Sequence, residues 1–362
     1  MLSLTAGPTK KSIGLMLVGL VAFIVYLLFF GDFAEFLRIM GSLDLEKYTL
    51  FYSLAIFMVV LAVFFDSLIW HALLDGLRVK IKFRRIMLYN WVGNFVEMVI
   101  PCETVCGEAT RIYLAQREPE ADLGISSATV ISSRMLSTFV YTGGLIVGFV
   151  ALTLSTGIQP FLFALVALIT TGTAALMAAV LYIALKESAA ERLINGLMHV
   201  LRVIIKNPAK LEKQKENLQK TLFSFSEAFQ TYRNKPSVLV KPVIFAVTAW
   251  FFNLLVYLMV FYSLGFSEIS ILSLATIYCI ASTVETLTAG FPVGAVEITL
   301  VNMFFLFGVP VPIAVAATTL TRLITFWCQV LIGFPLINIA GLKKPIAKSM
   351  IQTEPSVPSI KV

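Results

Sequence analysis

Six apolar runs in this chain, at residues 13–30, 48–70, 126–154, 161–185, 239–264 and 313–337, are each long enough to cross a bilayer. A helix needs about 20 such residues to span a hydrocarbon core about 30 Å thick. With no water at that depth to satisfy backbone groups, runs of this kind have one common solution, a helix per run. Composition agrees: 58% of residues are apolar and 14% charged, with a mean hydropathy of +0.89, against about 45–50% and about 25% in soluble domains. Disordered chains, disulfide-rich secreted domains and most soluble enzymes are thereby excluded. The first run follows Lys10 and Lys11, exceeds a signal-peptide core and has no small-residue cleavage site after it, so it reads as an uncleaved anchor.

Two further apolar regions are interrupted. Residues 86–100 make a helix of only about 22 Å, too short to cross. They end at Pro101, where the polar stretch CETVCGE begins, and residues 109–116 can return. Residues 271–289 are broken by Gly290, Pro292 and Gly294 and resume as 296–307. Each region is expected to be a broken, re-entrant-type hairpin whose two helical arms enter and leave on one side. Proline and glycine at membrane depth are tolerable where protein or a wet cavity surrounds them.

Charge placement orients the chain, because cytoplasmic loops collect Lys and Arg. The stretch 31–47 carries four acids against Arg38 and Lys47, whereas the next connection holds Arg78, Lys80, Lys82, Arg84 and Arg85. Residues 186–235 contain ten basic residues and five acids, and the tail adds Lys343, Lys344 and Lys348. All basic clusters fall on one side if both termini are cytoplasmic. The expected fold is an all-α polytopic membrane protein of 8–10 helical segments, with six full crossings and two broken hairpins. Residues 1–342 form one membrane domain, 343–362 a cytoplasmic tail, and 186–238 a cytoplasmic amphipathic loop. In that loop Leu218, Leu222, Phe225, Phe229 and Tyr232 recur at helical spacing. The stripe admits two placements, on the inner leaflet or against the protein's own underside.

The broken regions share an order of features. Glu97, Pro101, Gly107 and Glu108 precede Arg134; Glu285, Pro292, Gly294 and Glu297 precede Arg322. Acid and arginine are 26 residues apart in one (134 − 108) and 25 in the other (322 − 297). With the first hairpin open to the cytoplasm and the second to the outside, the halves at about 48–154 and 239–337 form an inverted repeat, a plan that places transporter substrates between halves near the midplane. Asp66, Glu97, Glu103, Glu108, Arg111, Arg134, Glu285, Glu297 and Arg322 all lie at membrane depth on this layout. Each costs about 2.5–3.5 kcal/mol at a helix centre, so they must face one another, water or a ligand. Arginine stays charged and its planar fork matches a phosphate or carboxylate. Arg134, Arg322, Glu108, Glu297 and Arg111 are the candidate substrate-binding residues, and Glu97, Pro101, Gly107, Glu285, Pro292 and Gly294 shape the hairpins and cavity. An alternative use of the arginines is permanent pairing with a repeat acid. Cys102 and Cys106 lack companions for a metal site, and no cofactor is expected.

At these residues the chain resembles the membrane part of the lysylphosphatidylglycerol synthetase family, whose stand-alone members are called flippase-like membrane proteins. The resemblance rests on Pro101, Gly107, Glu108 and Arg111 in GEATRIYLA, on Arg134-Met135-Leu136, on FPVGAVEITLVN with Pro292, Gly294 and Glu297, and on Thr321-Arg322-Leu323. It covers about residues 80–341. Cys102 stands where the family has glycine, and Val293 separates Pro292 from Gly294. The chain ends about 20 residues past its last span, so the resemblance implies the lipid-translocating module without an aminoacyl transferase and without enzymatic activity.

The function expected is therefore a flippase-like transporter that carries a lipid with an anionic or phosphate-bearing head, a phospholipid or a polyprenyl phosphate, across the cytoplasmic membrane. Two alternatives are a non-transporting accessory subunit of a membrane glycosyltransferase or envelope-lipid synthesis complex, and an intramembrane enzyme acting on polyprenyl phosphates. Partners compatible with this reading are the membrane, a second copy of the chain or a membrane enzyme, and not nucleic acid. The orientation is testable with reporter fusions. A fluorescent protein fused after Lys344 should fluoresce, and alkaline phosphatase inserted in the 155–160 loop should be active; the reverse pattern would invert the layout.

Overall fold

The computed structural model describes residues 38–39, 41–99, 103–156, 160–186, 192, 208–287 and 294–340. The expected anchor at 13–30, the hairpin tips at Pro101, Cys102, Gly290 and Pro292, and the tail lie outside these residues. The helices in order are α1 (Leu45–Gly76), α2 (Phe83–Val99), α3 (Glu103–Ala115), α4 (Leu123–Thr156), α5 (Pro160–Leu185), α6 (Pro208–Asn234), α7 (Val240–Ser263), α8 (Ile271–Leu287), α9 (Ala295–Leu306), α10 (Val311–Arg322) and α11 (Gln329–Ile339). A 3₁₀ turn, Pro236–Leu239, leads into α7, and a π-helical turn, Leu323–Cys328, joins α10 to α11. No strand occurs among the described residues.

Five helical runs among the described residues are long and apolar enough to cross a membrane: Leu45–Gly76, Leu123–Val150, Phe163–Leu185, Pro236–Ser263 and Val311–Ile339. They coincide with five of the six expected crossings. Large apolar side chains such as Leu154, Leu168, Leu331 and Ile339 point outward, as suits helices solvated by lipid tails. The chain is an integral membrane protein. Between the long helices, α2 with α3 and α8 with α9 are the two expected short-armed pairs, the longer arm of each having 17 residues.

One expectation needs correction. The polar stretch after Pro101 was expected to form the bend, but α3 begins at Glu103, so Cys106, Gly107 and Glu108 are helical. Pro101 precedes the helix, where proline removes no needed donor, and nothing between 103 and 108 disfavours helix strongly enough to prevent it. The opposite arm satisfies the polar groups. A Cβ on Gly107 would lie 2.8 Å from Glu97 Cβ and 2.9 Å from the Gly93 carbonyl. Only hydrogen at this position lets α2 and α3 approach so closely.

The halves interlock crosswise. α1 and α7 pack along most of their lengths, α4 lies on α8, and α11 lies on α2. Gly144 faces the Trp250 indole and Gly148 faces Thr276, where a Cβ would lie 2.7 Å from the hydroxyl. These small residues serve contacts inside the molecule. Gly333 of α11 is pressed against Phe95 of α2 in the same way.

The amphipathic loop is α6, and its stripe is used against the protein. Phe229 and Ala228 pack on Ala128 and Ala184, and the Tyr232 hydroxyl donates to the Leu73 carbonyl at 3.0 Å. Ser224 donates to Asp122 at 2.7 Å. Phe223, off the stripe, is 71% exposed. Beside it, the base of the first hairpin is closed by Glu118, which accepts from Arg85 at 2.6 Å and from Tyr89 at 2.5 Å. Burial would raise the Glu118 carboxyl, but the Arg85 and Tyr89 hydrogen bonds outweigh it and hold the group below the usual carboxylate range.

Two outcomes are expected. Phe229→Ala should destabilise the detergent-solubilised protein by about 3 kcal/mol, read as a lowered Tm, whereas Phe223→Ala should leave Tm unchanged. Because the Glu118 carboxyl is depressed in the fold, its contribution is present above its unfolded value and lost as pH falls through the folded one. Glu118→Gln should therefore flatten the fall in Tm on acidification below the ordinary carboxylate range.

Candidate functional site

The two arginines stand at matching depths. Arg134 comes 11 residues after the start of α4 (134 − 123) and Arg322 11 after the start of α10 (322 − 311), about 16 Å along each helix. Each receives an acid from 37 residues earlier, near the end of the preceding longer arm: Glu97 for Arg134 and Glu285 for Arg322. Each receives a second acid from the shorter arm, Glu108 or Glu297. The sequence comparison aligned only the second acids, at spacings of 26 and 25; the equal spacing of 37 links the first ones.

In the first cluster, Arg134 lies 3.2 Å from Glu97 and 3.6 Å from Glu108. Arg111 of α3 reaches the other Glu97 oxygen at 3.1 Å and also donates to Asn90 and Asn94 of α2. Asn90 donates to Ser67 at 3.1 Å, and Asn94 to Gln329 at the start of α11 at 3.4 Å. A Cβ on Gly93 would lie 2.6 Å from the Arg111 side chain, so this glycine makes room for the guanidinium stem. Asp66 of α1 stands within electrostatic reach of both arginines. One Glu108 oxygen is buried without a hydrogen bond.

The second cluster is tighter. Arg322 donates to Glu297 at 2.8 Å and to Glu285 at 2.9 Å, and its guanidinium lies 4.9 Å from the Phe326 ring. Glu297 also accepts the Gly294 backbone N–H at 2.7 Å, closing the first turn of α9. Gly294 has φ +101°, a conformation available to glycine. The π-helical turn begins directly after Arg322, and the carbonyl of Leu320 accepts from the Tyr52 hydroxyl at 3.2 Å. Such turns concentrate at functional sites.

The clusters differ in which charge faces outward. The Arg322 and Glu297 side chains are 6% and 4% exposed, whereas Arg134 is 37% and Glu285 40% exposed. Of the residues expected from sequence, Arg134, Arg111, Glu97, Glu108 and Gly107 come together in one cluster, and Arg322, Glu285, Glu297 and Gly294 in the other. Pro101 and Pro292 lie outside the described residues. Sequence reading missed Asn90, Asn94, Gln329 and the π turn. The first two sit at i and i+4 in an otherwise apolar arm, one turn before Glu97, which is the signal that marks them.

Residues 15–333 match the family described as the lysylphosphatidylglycerol synthase TM region. Similar proteins include a UPF0104 membrane protein of Pyrococcus horikoshii, 24% identical over 337 residues, covering 88% of this chain and 94% of that protein. UPF0104 membrane proteins of Methanothermobacter thermautotrophicus and Methanocaldococcus jannaschii are each 24% identical, over 78% and 77% of this chain and 82% and 81% of theirs.

Removing one partner of a buried ion pair leaves the other charge unpaired and costs about 3–5 kcal/mol. Arg322→Met should therefore lower Tm markedly. Arg134→Met, at a more exposed site, should cost no more than about half as much. Equal losses, measured by thermal unfolding in one detergent, would mean the clusters are equally closed.

Proposed function

Since this chain belongs to the lysylphosphatidylglycerol synthase TM-region family, we propose that it moves a lipid with an anionic or phosphate-bearing headgroup across the cytoplasmic membrane. The observation that carries the proposal is the half-exposed Arg134, held by one carboxylate at hydrogen-bonding distance and by a second at 3.6 Å. Membrane-depth arginine in contact with an incompletely bonded carboxylate is costly unless a further ligand completes the site. A phosphate meeting the Arg134 fork supplies two charge-assisted hydrogen bonds, while Glu108 is released to water or takes a proton.

The two halves act as an inverted repeat, with one cluster serving each leaflet. In this conformation the first cluster is the receptive one. The second is closed around Arg322, and it becomes receptive when Glu285, its exposed member, yields its place to the headgroup. The acyl or isoprenoid chain stays in lipid throughout, so the protein lowers only the cost of carrying the polar head. No bond is made or broken in this scheme, and the chain acts as a single membrane unit with both termini cytoplasmic.

Native mass spectrometry of the detergent-purified protein tests the reading. Wild type should retain a phospholipid or polyprenyl phosphate, and Arg134→Ala should retain more than about tenfold less, since one charge-assisted contact contributes about 1.5–3 kcal/mol. Equal, nonspecific lipid in both proteins would overturn it.

A further inference from the structure

Three tyrosines stand between the two charged clusters. Tyr141 lies on α4 seven residues beyond Arg134, and Tyr278 lies on α8 seven residues before Glu285. Seven residues are two helical turns, so each tyrosine shares the face of its cluster residue. The Tyr141 and Tyr278 rings meet edge to face at 5.8 Å, and a side-chain hydrogen bond joins them. Tyr257 of α7 packs on Tyr278 at 5.4 Å. Tyr141 is within electrostatic reach of Asp66 and Arg134, and Tyr257 of Glu285 and Arg322. The triad thus spans the distance from one cluster to the other.

The seam around it is tight. Tyr257 and Tyr278 are each 7% exposed. On the same two helices, Gly148 sits hard against Thr276, bringing α4 and α8 into close approach two turns beyond Tyr141. Cys279, next to Tyr278, is a free thiol that is 1% exposed. Rings of this size fill the seam, and their hydroxyls give it polar atoms that a passing headgroup can bond.

We propose that Tyr141, Tyr278 and Tyr257 form the closed gate between the two clusters, with Tyr278 as its central leaf. This rests on the reading of the clusters as headgroup sites. The head bound at Arg134 reaches Arg322 only when the Tyr141–Tyr278 contact parts. A leaf that carries both bulk and a hydroxyl blocks the path when closed and lines it when open. The gate makes the two clusters alternately accessible.

The buried thiol reports on it directly. With Cys102, Cys106 and Cys328 replaced by serine, Cys279 is the one thiol left, and its modification by N-ethylmaleimide in proteoliposomes is read by intact mass. Tyr278→Ala should speed labelling by about tenfold or more, since it removes the bulk that closes the seam, and Tyr278→Phe should stay within about twofold of the parent. Tyr141→Ala serves as a second opening variant should Tyr278→Ala not purify as a single species. Phe261→Ala, which empties a fully buried position in the same core away from the triad, should leave labelling unchanged. The gate is overturned if neither alanine variant speeds labelling, or if Phe261→Ala speeds it equally. Loss of the Arg134 dependence of lipid retention would strike the headgroup reading alone, since Cys279 labelling involves no lipid.

Discussion

A guanidinium held at the middle of a bilayer-spanning helix stays charged, and that requirement organises this molecule. Arg134 and Arg322 each sit 11 residues inside a long helix, where neither water nor headgroups can serve them. Carboxylates must be brought to the same depth, and a helix that crosses the membrane completely would bring them at the cost of exposing them to lipid. The short arms solve this. α2 and α8 stop at membrane depth with Glu97 and Glu285 near their ends, and α3 and α9 start again with Glu108 and Glu297. The breaks in the hairpins and the ion pairs are two sides of one arrangement, because the backbone interrupted there needs the same protein-lined surroundings as the charges.

The crosswise packing then decides what the clusters are next to. α4, which carries Arg134, lies on α8, which carries Glu285, and α11, which continues the Arg322 helix, lies on α2, which carries Glu97. Each hairpin therefore leans on the long helix of the other half. Small residues make this possible, with Gly148 against Thr276 on one side and Gly333 against Phe95 on the other. The consequence for function is that the two clusters share one seam instead of lying at separate edges, so movement at one is felt at the other through packed side chains.

The halves are alike in plan and unlike in detail. The first holds two arginines in a lattice of asparagine and glutamate, reaching across to Gln329. The second holds one arginine, backed by the Phe326 ring and followed by a π turn whose neighbouring carbonyl is bonded by Tyr52. At the place of Asn90, which binds Arg111, the second half has Tyr278, 188 residues later, the same separation that relates Arg134 to Arg322. A symmetric plan with unequal sites is what alternating use of two positions requires: if both were equally open at once, the polar path would leak.

Much of this was legible in the residues themselves. The long apolar runs, the two interrupted regions and the pairing of glutamates with late arginines follow from local rules: a helix satisfies its own backbone, and a charge at depth demands a counter-charge. Those rules act along the chain, so reading the chain recovers them. The sequence also marked the stripe on α6 but left its partner undecided, because an apolar face is equally content against lipid or protein; the fold places Phe229 against Ala128 and Ala184. It was tertiary structure, too, that made Cys106 to Glu108 helical, brought Asn90 and Asn94 to Arg111, exposed Arg134 while sealing Arg322, and set Tyr141 on Tyr278. These depend on which helices meet and how closely, and that is settled by small residues and ring shapes on segments more than a hundred residues apart, which no local pattern encodes.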